Sequence, residues 1–241
     1  IPPRMVRAEK QHLAGTAPDP GNENLPFEPL PEEVELAQLL GEGGRVAVTP
    51  SHGPARLGTG EWVGGWAVTV ARAALAVHAS GRSAIVVAPD YRDVDQVRDA
   101  LESFGHRGVV RVDSRQSGSE RYAGFLRALD PVPRIILGNR SAVYAPAYQL
   151  GALLIWDDGD PVLAEHLTPY VHARDAALLR AEQSGAGLYF ASHSRSAEVQ
   201  RLVEIGYLQA ENLPPLRTRV VAADQLRSPE NFPGRVPEFA A

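Results

Sequence analysis

The stretch AIVVAPDYRDVDQVRDALESFG, residues 84–105, contains the unit that decides the fold. Its first five residues form a continuous apolar run rich in β-branched side chains, which indicates a strand buried on both faces. Residues 93–104 then have the apolar spacing of a helix. A buried strand followed by a helix is the repeating unit of a parallel α/β sheet.

The same alternation extends over most of the chain. Further strands are predicted at RVAVT (45–49), VVRV (109–112), RIIL (134–137), ALLIW (152–156) and LYFA (188–191), and further helices at 62–79, 119–129, 172–184 and 196–205. The pattern predicts an α/β fold in which a mostly parallel sheet carries helices on both faces. Ligands of such sheets bind at the carboxyl ends of the strands, so functional residues should follow the apolar runs.

The ends of the chain have a different composition. Residues 1–44 are rich in Pro, Asn and Glu and are predicted to be a linker or irregular segment, with a short helix at 32–40. The domain is predicted over residues 45–206. Residues 207–241 are predicted to be a partly irregular connection, with RTRVVAA (217–223) as a strand. Because the chain starts at Ile1 and its sole methionine is Met5, we expect a fragment of a longer protein.

Composition excludes several classes of function. The formal net charge of -5 argues against nucleic acid wrapping the whole surface, so any DNA contact must be local. The chain has no cysteine, and its 7 histidines lack zinc-binding spacing, so no metal site is expected. No signal peptide or membrane-spanning segment is recognisable, which predicts a cytoplasmic protein without a membrane partner.

One glycine-rich stretch, GTGEWVGGWA (58–67), has the spacing of a phosphate-binding loop. Gly60 and Gly65 stand at the G-x-x-x-x-G positions, but Trp66 and Ala67 occupy the places of the motif's Lys and Ser/Thr. The stretch is therefore either a nucleotide site that has lost its chemistry or a glycine-rich helix start.

Acidic residues follow the ALLIW strand. Asp157 and Asp158 begin the sequence DDGD, and consecutive acids after a buried strand hold magnesium in P-loop enzymes. The alternative is that DDGD is only favourable turn composition.

A polar cluster follows the RIIL strand. Asn139, Arg140 and Ser141 are able to donate hydrogen bonds to a DNA backbone. The alternative is a surface turn.

Four segments together resemble the first RecA-like lobe of the primosomal replication-restart helicase family, PriA. They are YVHARDAALLRA (170–181), GNRSAVYAP (138–146), VVAPD (86–90) and DSRQSGSER (113–121), and the likeness runs from about residue 46 to 205. The resemblance implies a RecA-like P-loop NTPase-type domain that acts in replisome reloading at stalled forks. It also implies forked or single-stranded DNA and other primosome proteins as partners, nucleoid association, and a zinc module only in a part outside this chain.

The match to the family's ATPase motifs is degenerate. Aligned on the helix that ends near Gly81, Trp66 replaces the lysine, Ala67 replaces the magnesium-binding hydroxyl, and DDGD (157–160) replaces an Asp-Glu-Glu-His box. The family's Gly-Ser-Ala-Thr coupling segment reads ASHS (191–194) here. These departures predict a pseudo-helicase lobe with no catalytic residue and no bound ATP or magnesium.

In this interpretation the lobe is a scaffold that binds DNA and partner proteins without ATP turnover. Its predicted DNA contacts are Asn139, Arg140 and Ser141, with Arg174 near the same strand ends. The alternative is an active DNA-dependent ATPase and 3′–5′ helicase with an unorthodox nucleotide site. There Asp157 and Asp158 would hold magnesium, and Arg56 or Arg72 would replace the lysine.

Overall fold

Nine β-strands form two sheets in the computed structural model, which describes residues 3–15, 24–113 and 115–212. In chain order they are β1 (Arg45–Thr49), β2 (Pro54–Arg56), β3 (Trp62–Gly64), β4 (Ser83–Val87), β5 (Val110–Val112), β6 (Ile135–Gly138), β7 (Leu150–Trp156), β8 (Gly187–Ala191) and β9 (Gln209–Asn212). Strands β2 and β3 form an antiparallel hairpin. The other seven form one parallel sheet in the order β5-β6-β4-β7-β8-β1-β9.

Helices cover both faces of the large sheet. The described residues contain α1 (Pro3–Leu13), α2 (Pro31–Gly41), α3 (Gly65–Ala79), α4 (Tyr91–Ser103), α5 (Gly118–Leu129), α6 (Ala173–Ser184) and α7 (Ala197–Glu204). Buried side chains of α2, α3 and α4 form a core on one face, and those of α5, α6 and α7 form a core on the other. All five residues of β4 are fully buried because both of its faces are covered. The predicted α/β fold, a mostly parallel sheet with helices on both faces, is confirmed.

Side chains at the carboxyl ends of the strands start the helices that follow. The Asp90 carboxylate caps α4 by accepting hydrogen bonds from the backbone N–H groups of Arg92 (2.7 Å) and Asp93 (3.1 Å). Ser196 caps α7 by accepting a hydrogen bond from the Val199 N–H. These caps fix where each loop leaves the sheet, and thus position the residues that line its carboxyl edge.

The structure corrects three of the sequence-based boundaries. The predicted helix over 62–79 begins only at Gly65, because residues 62–64 are strand β3. The segment 1–44 is not simply irregular, since it contains α1 and α2, and the helix predicted at 32–40 corresponds to α2. The sheet also continues past residue 206 with β9, while the strand predicted at 217–223 lies outside the described residues.

Two of the histidines pack against each other inside the domain, where His106 is buried and His78 is half-buried. The imidazoles of His78 and His106 meet edge to face, 4.9 Å between ring centroids, and His106 is 4% exposed. Burial lowers the pKa of His106 to about 4. In the described part of the chain, no helix has the length and apolar character needed to cross a bilayer.

Candidate functional site

The chain between β1 and α3 does not form a phosphate-binding loop. Residues 50–64 contain the β2–β3 hairpin, and Gly60 lies in its exposed turn with φ +96°. Gly65 is the first residue of α3, and its N–H donates to the Gly53 carbonyl (2.7 Å). The two glycines of the motif therefore belong to different elements, whereas a working P-loop directs consecutive backbone N–H groups at one anion.

Two tryptophans fill the space beside this helix start. Trp66 in α3 and Trp156 at the end of β7 stack with ring centroids 4.0 Å apart and an interplanar angle of 6°. They are 6% and 5% exposed. Gly64 is required here, because a Cβ at that position would lie 2.3 Å from the Trp66 indole nitrogen. Ala67 is fully buried.

Two histidines extend this stack toward the surface. His193, after β8, meets the Trp156 ring edge to face at 5.1 Å, and His52, after β1, stacks on His193 at 4.5 Å. We call these four residues (Trp66, Trp156, His193 and His52) the aromatic cluster. Burial and the nearby His52 lower the pKa of His193, while Asp157 opposes this. The cluster covers the carboxyl ends of three neighbouring strands, β1, β8 and β7.

The two aspartates after β7 have different surroundings. Asp157 has a left-handed backbone (φ +49°), and its pKa is raised by burial and then by the charges of Asp160 and Asp158. Asp158 is 1% exposed, accepts a hydrogen bond from the Ser196 hydroxyl (2.6 Å) and pairs with Arg174 (3.3 Å). Asp158 thus joins β7 to α6 and α7 inside the protein.

Arg174 is part of the same internal network. Its guanidinium is 8% exposed and also pairs with Asp175 (3.2 Å) and Glu198 (3.5 Å). Its backbone N–H donates to the His172 imidazole, which caps α6. The structure therefore places Arg174 in a buried ion-pair network, and Arg174 does not line the cleft formed by the other three residues predicted to contact DNA.

Those other three residues lie together in an open cleft. Asn139, Arg140 and Ser141 line a cavity of about 330 Å³ with residues that follow β4 and β5. The Asn139 amide donates to the carbonyls of Ala88 (3.2 Å) and Pro89 (3.1 Å), which ties the end of β6 to that of β4. Arg140 pairs with Glu165 (3.2 Å), and Ser141 is exposed. The sequence-based grouping of these three residues matches their positions.

Three carboxylates, those of Asp90, Asp157 and Asp160, lie close enough to Asp93 for their charges to act on it. Burial raises the pKa of Asp93 to about 6, and the charges of Asp90, Asp157 and Asp160 act in the same direction. Among the residues that the structure describes, no group of three or more His, Asp or Glu side chains could hold a metal ion.

Sequence reasoning missed several residues of this edge. Trp156 carried a signal, since it is the last residue of the ALLIW run directly before Asp157. His193 carried one too, as part of the ASHS segment (191–194) after the LYFA strand. His52 and Glu165 carried none, because their partners are distant in sequence or in irregular loops.

Comparisons with known proteins identify the family. No family model matches the chain. It is 32% identical over 232 residues, 93% of its length, to a Mycobacterium leprae protein named "Probable replication restart protein PriA", of which it spans 35%. It is 30% identical over 128 residues to the replication restart protein PriA of Treponema pallidum, covering 53% of this chain and 19% of that protein.

Among solved structures, RecG bound to a three-way DNA junction aligns with a TM-score of 0.47 and 13% identity, over 89% of this chain and 27% of that one. The two sequence relatives share one name, and the nearly full-length match to the mycobacterial protein includes all four segments singled out in the sequence. The chain therefore belongs to the PriA replication restart protein family.

Proposed function

We propose that this chain is a degenerate helicase lobe that acts in replication restart by binding forked or single-stranded DNA and partner proteins, without ATP turnover. The observation that carries the proposal is the stacked, buried pair Trp66 and Trp156 beside the start of α3. We further propose that the protein works in the cytoplasm in association with the nucleoid. Any zinc of the longer protein would lie outside this chain.

The tryptophan pair opposes nucleotide binding for two reasons. A phosphate loop needs backbone N–H groups and a lysine around the β- and γ-phosphates, and here the indole of Trp66 stands in the lysine's place. In addition, a triphosphate placed there would have to displace two aromatic rings that are 6% and 5% exposed. Losing that packing would cost several kcal/mol, of order 3–5 per ring.

The alternative, an active ATPase with an unorthodox site, has less support. Arg72 pairs with Glu33 and lies over the Phe27 ring (5.2 Å), so its charge is already neutralised. Asp158 is held by Arg174 and Ser196. Only Asp157 and the exposed Arg56 stay available for such a site.

The cleft lined by Asn139, Arg140 and Ser141 supports the DNA-binding part of the proposal. It is concave, polar and placed at the carboxyl ends of parallel strands, where ligands of such sheets bind. Arg140 and Arg121 are its cations, and Glu165, the partner that neutralises Arg140, is on the surface. A DNA phosphate can therefore compete with Glu165 for Arg140 at little energetic cost.

A nucleotide titration tests the first part of the proposal. The chain is mixed with magnesium and a fluorescent ATP analogue, with and without forked DNA, and analogue anisotropy and phosphate release are measured. We expect no saturable binding in the micromolar range, and none in the variant Trp66→Lys, because the hairpin and Trp156 remain. Saturable micromolar binding with DNA-stimulated phosphate release would instead support the ATPase alternative.

A salt titration tests the second part. Forked-DNA binding is measured at several salt concentrations for the native chain and for Arg140→Ala. We expect weaker binding and a salt slope reduced by about 1, as for one lost phosphate contact. Arg201→Ala, at an exposed arginine on α7, is the control. An unchanged slope in Arg140→Ala would remove Arg140 from the DNA site.

A further inference from the structure

The β2–β3 hairpin is firmly attached to the domain. Leu57 and Val63 are buried, at 7% and 5% exposure, on its inner face. The Gly64 N–H donates to the Gln96 side chain of α4 (2.8 Å), and the Gly65 N–H donates to Gly53 (2.7 Å). The hairpin is thus a rigid element at the carboxyl edge of the large sheet.

The outer face of the hairpin presents an arginine and a tryptophan side by side. Arg56 and Trp62 are directly opposite each other in the antiparallel register, and Trp62 is 66% exposed. This contrasts with Trp66 and Trp156, which are almost fully buried. An exposed indole on a rigid element offers a flat ring on which a ligand can stack.

Within the described part of the chain, neither side chain is engaged. Arg56 makes no ion pair or hydrogen bond there, and its guanidinium does not cover the Trp62 ring. Elsewhere arginines lie over the aromatic rings beside them, as Arg45 does over Tyr207 (4.2 Å). The indole face and the cation of the hairpin are therefore both open to a ligand.

We infer that Trp62 and Arg56 form a stacking site for single-stranded DNA, in which a nucleobase stacks on the Trp62 indole and an adjacent phosphate pairs with Arg56. Single-stranded DNA fits these two side chains. Every base has a π-face that can stack on the Trp62 ring, and every nucleotide carries one phosphate anion that can pair with the unneutralised Arg56 cation. The inference rests on the proposed DNA-binding function and adds a second contact outside the Asn139–Ser141 cleft.

Tryptophan fluorescence tests the site directly. Trp62 is the exposed one of the chain's 3 tryptophans, so it dominates the red edge of the emission and is the one accessible to iodide. The full chain is titrated with oligodeoxythymidylate while red-edge emission and iodide quenching are recorded. We expect quenched emission and protection from iodide. The same measurement over a range of protein concentrations, without DNA, detects self-association through Trp62.

Variants connect the signal to affinity. Trp62→Ala should weaken binding roughly 5- to 150-fold, the range for one lost base stack. Arg56→Ala should lower the salt slope by about 1. Phe125→Ala, at a 46% exposed ring on α5, and Arg201→Ala are the matched controls and should bind like the native chain.

The outcomes separate this inference from the proposed function. If Arg140→Ala weakens binding but Trp62→Ala does not, the stacking site is wrong and the cleft stands. If DNA leaves Trp62 unchanged while rising protein concentration protects it, the occupant is a second copy of the chain and the DNA assignment is overturned. If the native chain does not bind DNA, both proposals fail.

Discussion

The two halves of the sheet's carboxyl edge have opposite character. At the ends of β1, β8 and β7 the aromatic cluster fills the edge with stacked rings. At the ends of β4, β5 and β6 the edge is an open polar cleft. The same parallel topology produces both halves, so the topology supplies a place for a ligand and the side chains decide whether that place stays open. Aromatic packing fills the edge in one half only.

The largest expected effect tests whether the closed half is a true core. Trp156→Ala removes one ring of the buried stack and should lower the free energy of unfolding by about 3–5 kcal/mol. Urea unfolding followed by circular dichroism measures the change. Trp62→Ala is the control, because its exposed ring should contribute less than about 0.5 kcal/mol. A decrease of less than 1 kcal/mol in the free energy of unfolding of Trp156→Ala would mean that the rings of the closed half are loosely packed and are not part of the core.

A second substitution asks whether the acidic residue beside the stack is structural. Asp158→Ala leaves Arg174 without its most buried partner and should lower the free energy of unfolding by about 3 kcal/mol. This value is at the lower end of the range for a broken buried ion pair, because Asp175 and Glu198 still pair with Arg174. Chemical denaturation of this variant, of Arg174→Met and of the double variant gives the coupling energy. If the Asp158→Ala variant kept its stability but lost magnesium-dependent nucleotide binding, Asp158 would belong to a nucleotide site, and the closed half of the edge would be the binding half.

A third experiment examines the boundary between the halves through its pH dependence. The folded-state pKa of Asp93, about 6, lies above its unfolded value, so its negative charge destabilises the fold at high pH. This penalty disappears as the pH falls through 6 toward 4, because the folded protein takes up the proton. Asp93→Asn should therefore stabilise the protein at pH 8, by about 1 kcal/mol after allowance for solvent screening, and have little effect near pH 4.

Urea midpoints at both pH values measure this difference. Asp99→Asn, on the same helix and paired with Arg98, is the control and should give no gain at pH 8. An equal gain at pH 8 and pH 4 would show that the Asp93 charge is not responsible.

The smallest expected effect concerns the open half. Glu165→Gln removes the carboxylate that neutralises Arg140 and should tighten DNA binding about two- to fivefold, as a surface ion pair of this kind permits. Fluorescence anisotropy of labelled single-stranded DNA measures the affinity. Glu204→Gln, with the same charge change at an exposed site on α7, should show a smaller gain. If the two variants respond equally, the effect is one of net charge and the cleft is not involved.

The regular elements could be predicted because their signals are local. Continuous apolar runs such as AIVVA (84–88) and the helical spacing after them are visible in short windows of sequence. The hairpin was missed because Trp62 and Val63 continue the apolar spacing of α3, while their pairing with residues 54–56 depends on a turn between them. Local sequence therefore located the helix but not its first residue.

The candidate site was only half predictable for a related reason. Asn139, Arg140 and Ser141 are consecutive, so their common position after one strand follows from the sequence. The stacking of Trp66 on Trp156, and the burial of Arg174 against Asp158, depend on residues that the sheet brings together from distant segments. Burial and pairing of this kind have no local signature.

The Trp66–Trp156 stack has a consequence for how the family can change over time. Replacement of Trp66 by lysine would bury an ammonium against the Trp156 indole, where a charge is strongly disfavoured. A phosphate loop would also require removal of residues 50–64 from the path between β1 and α3. Purifying selection for a folded domain is thus sufficient to keep tryptophan at position 66.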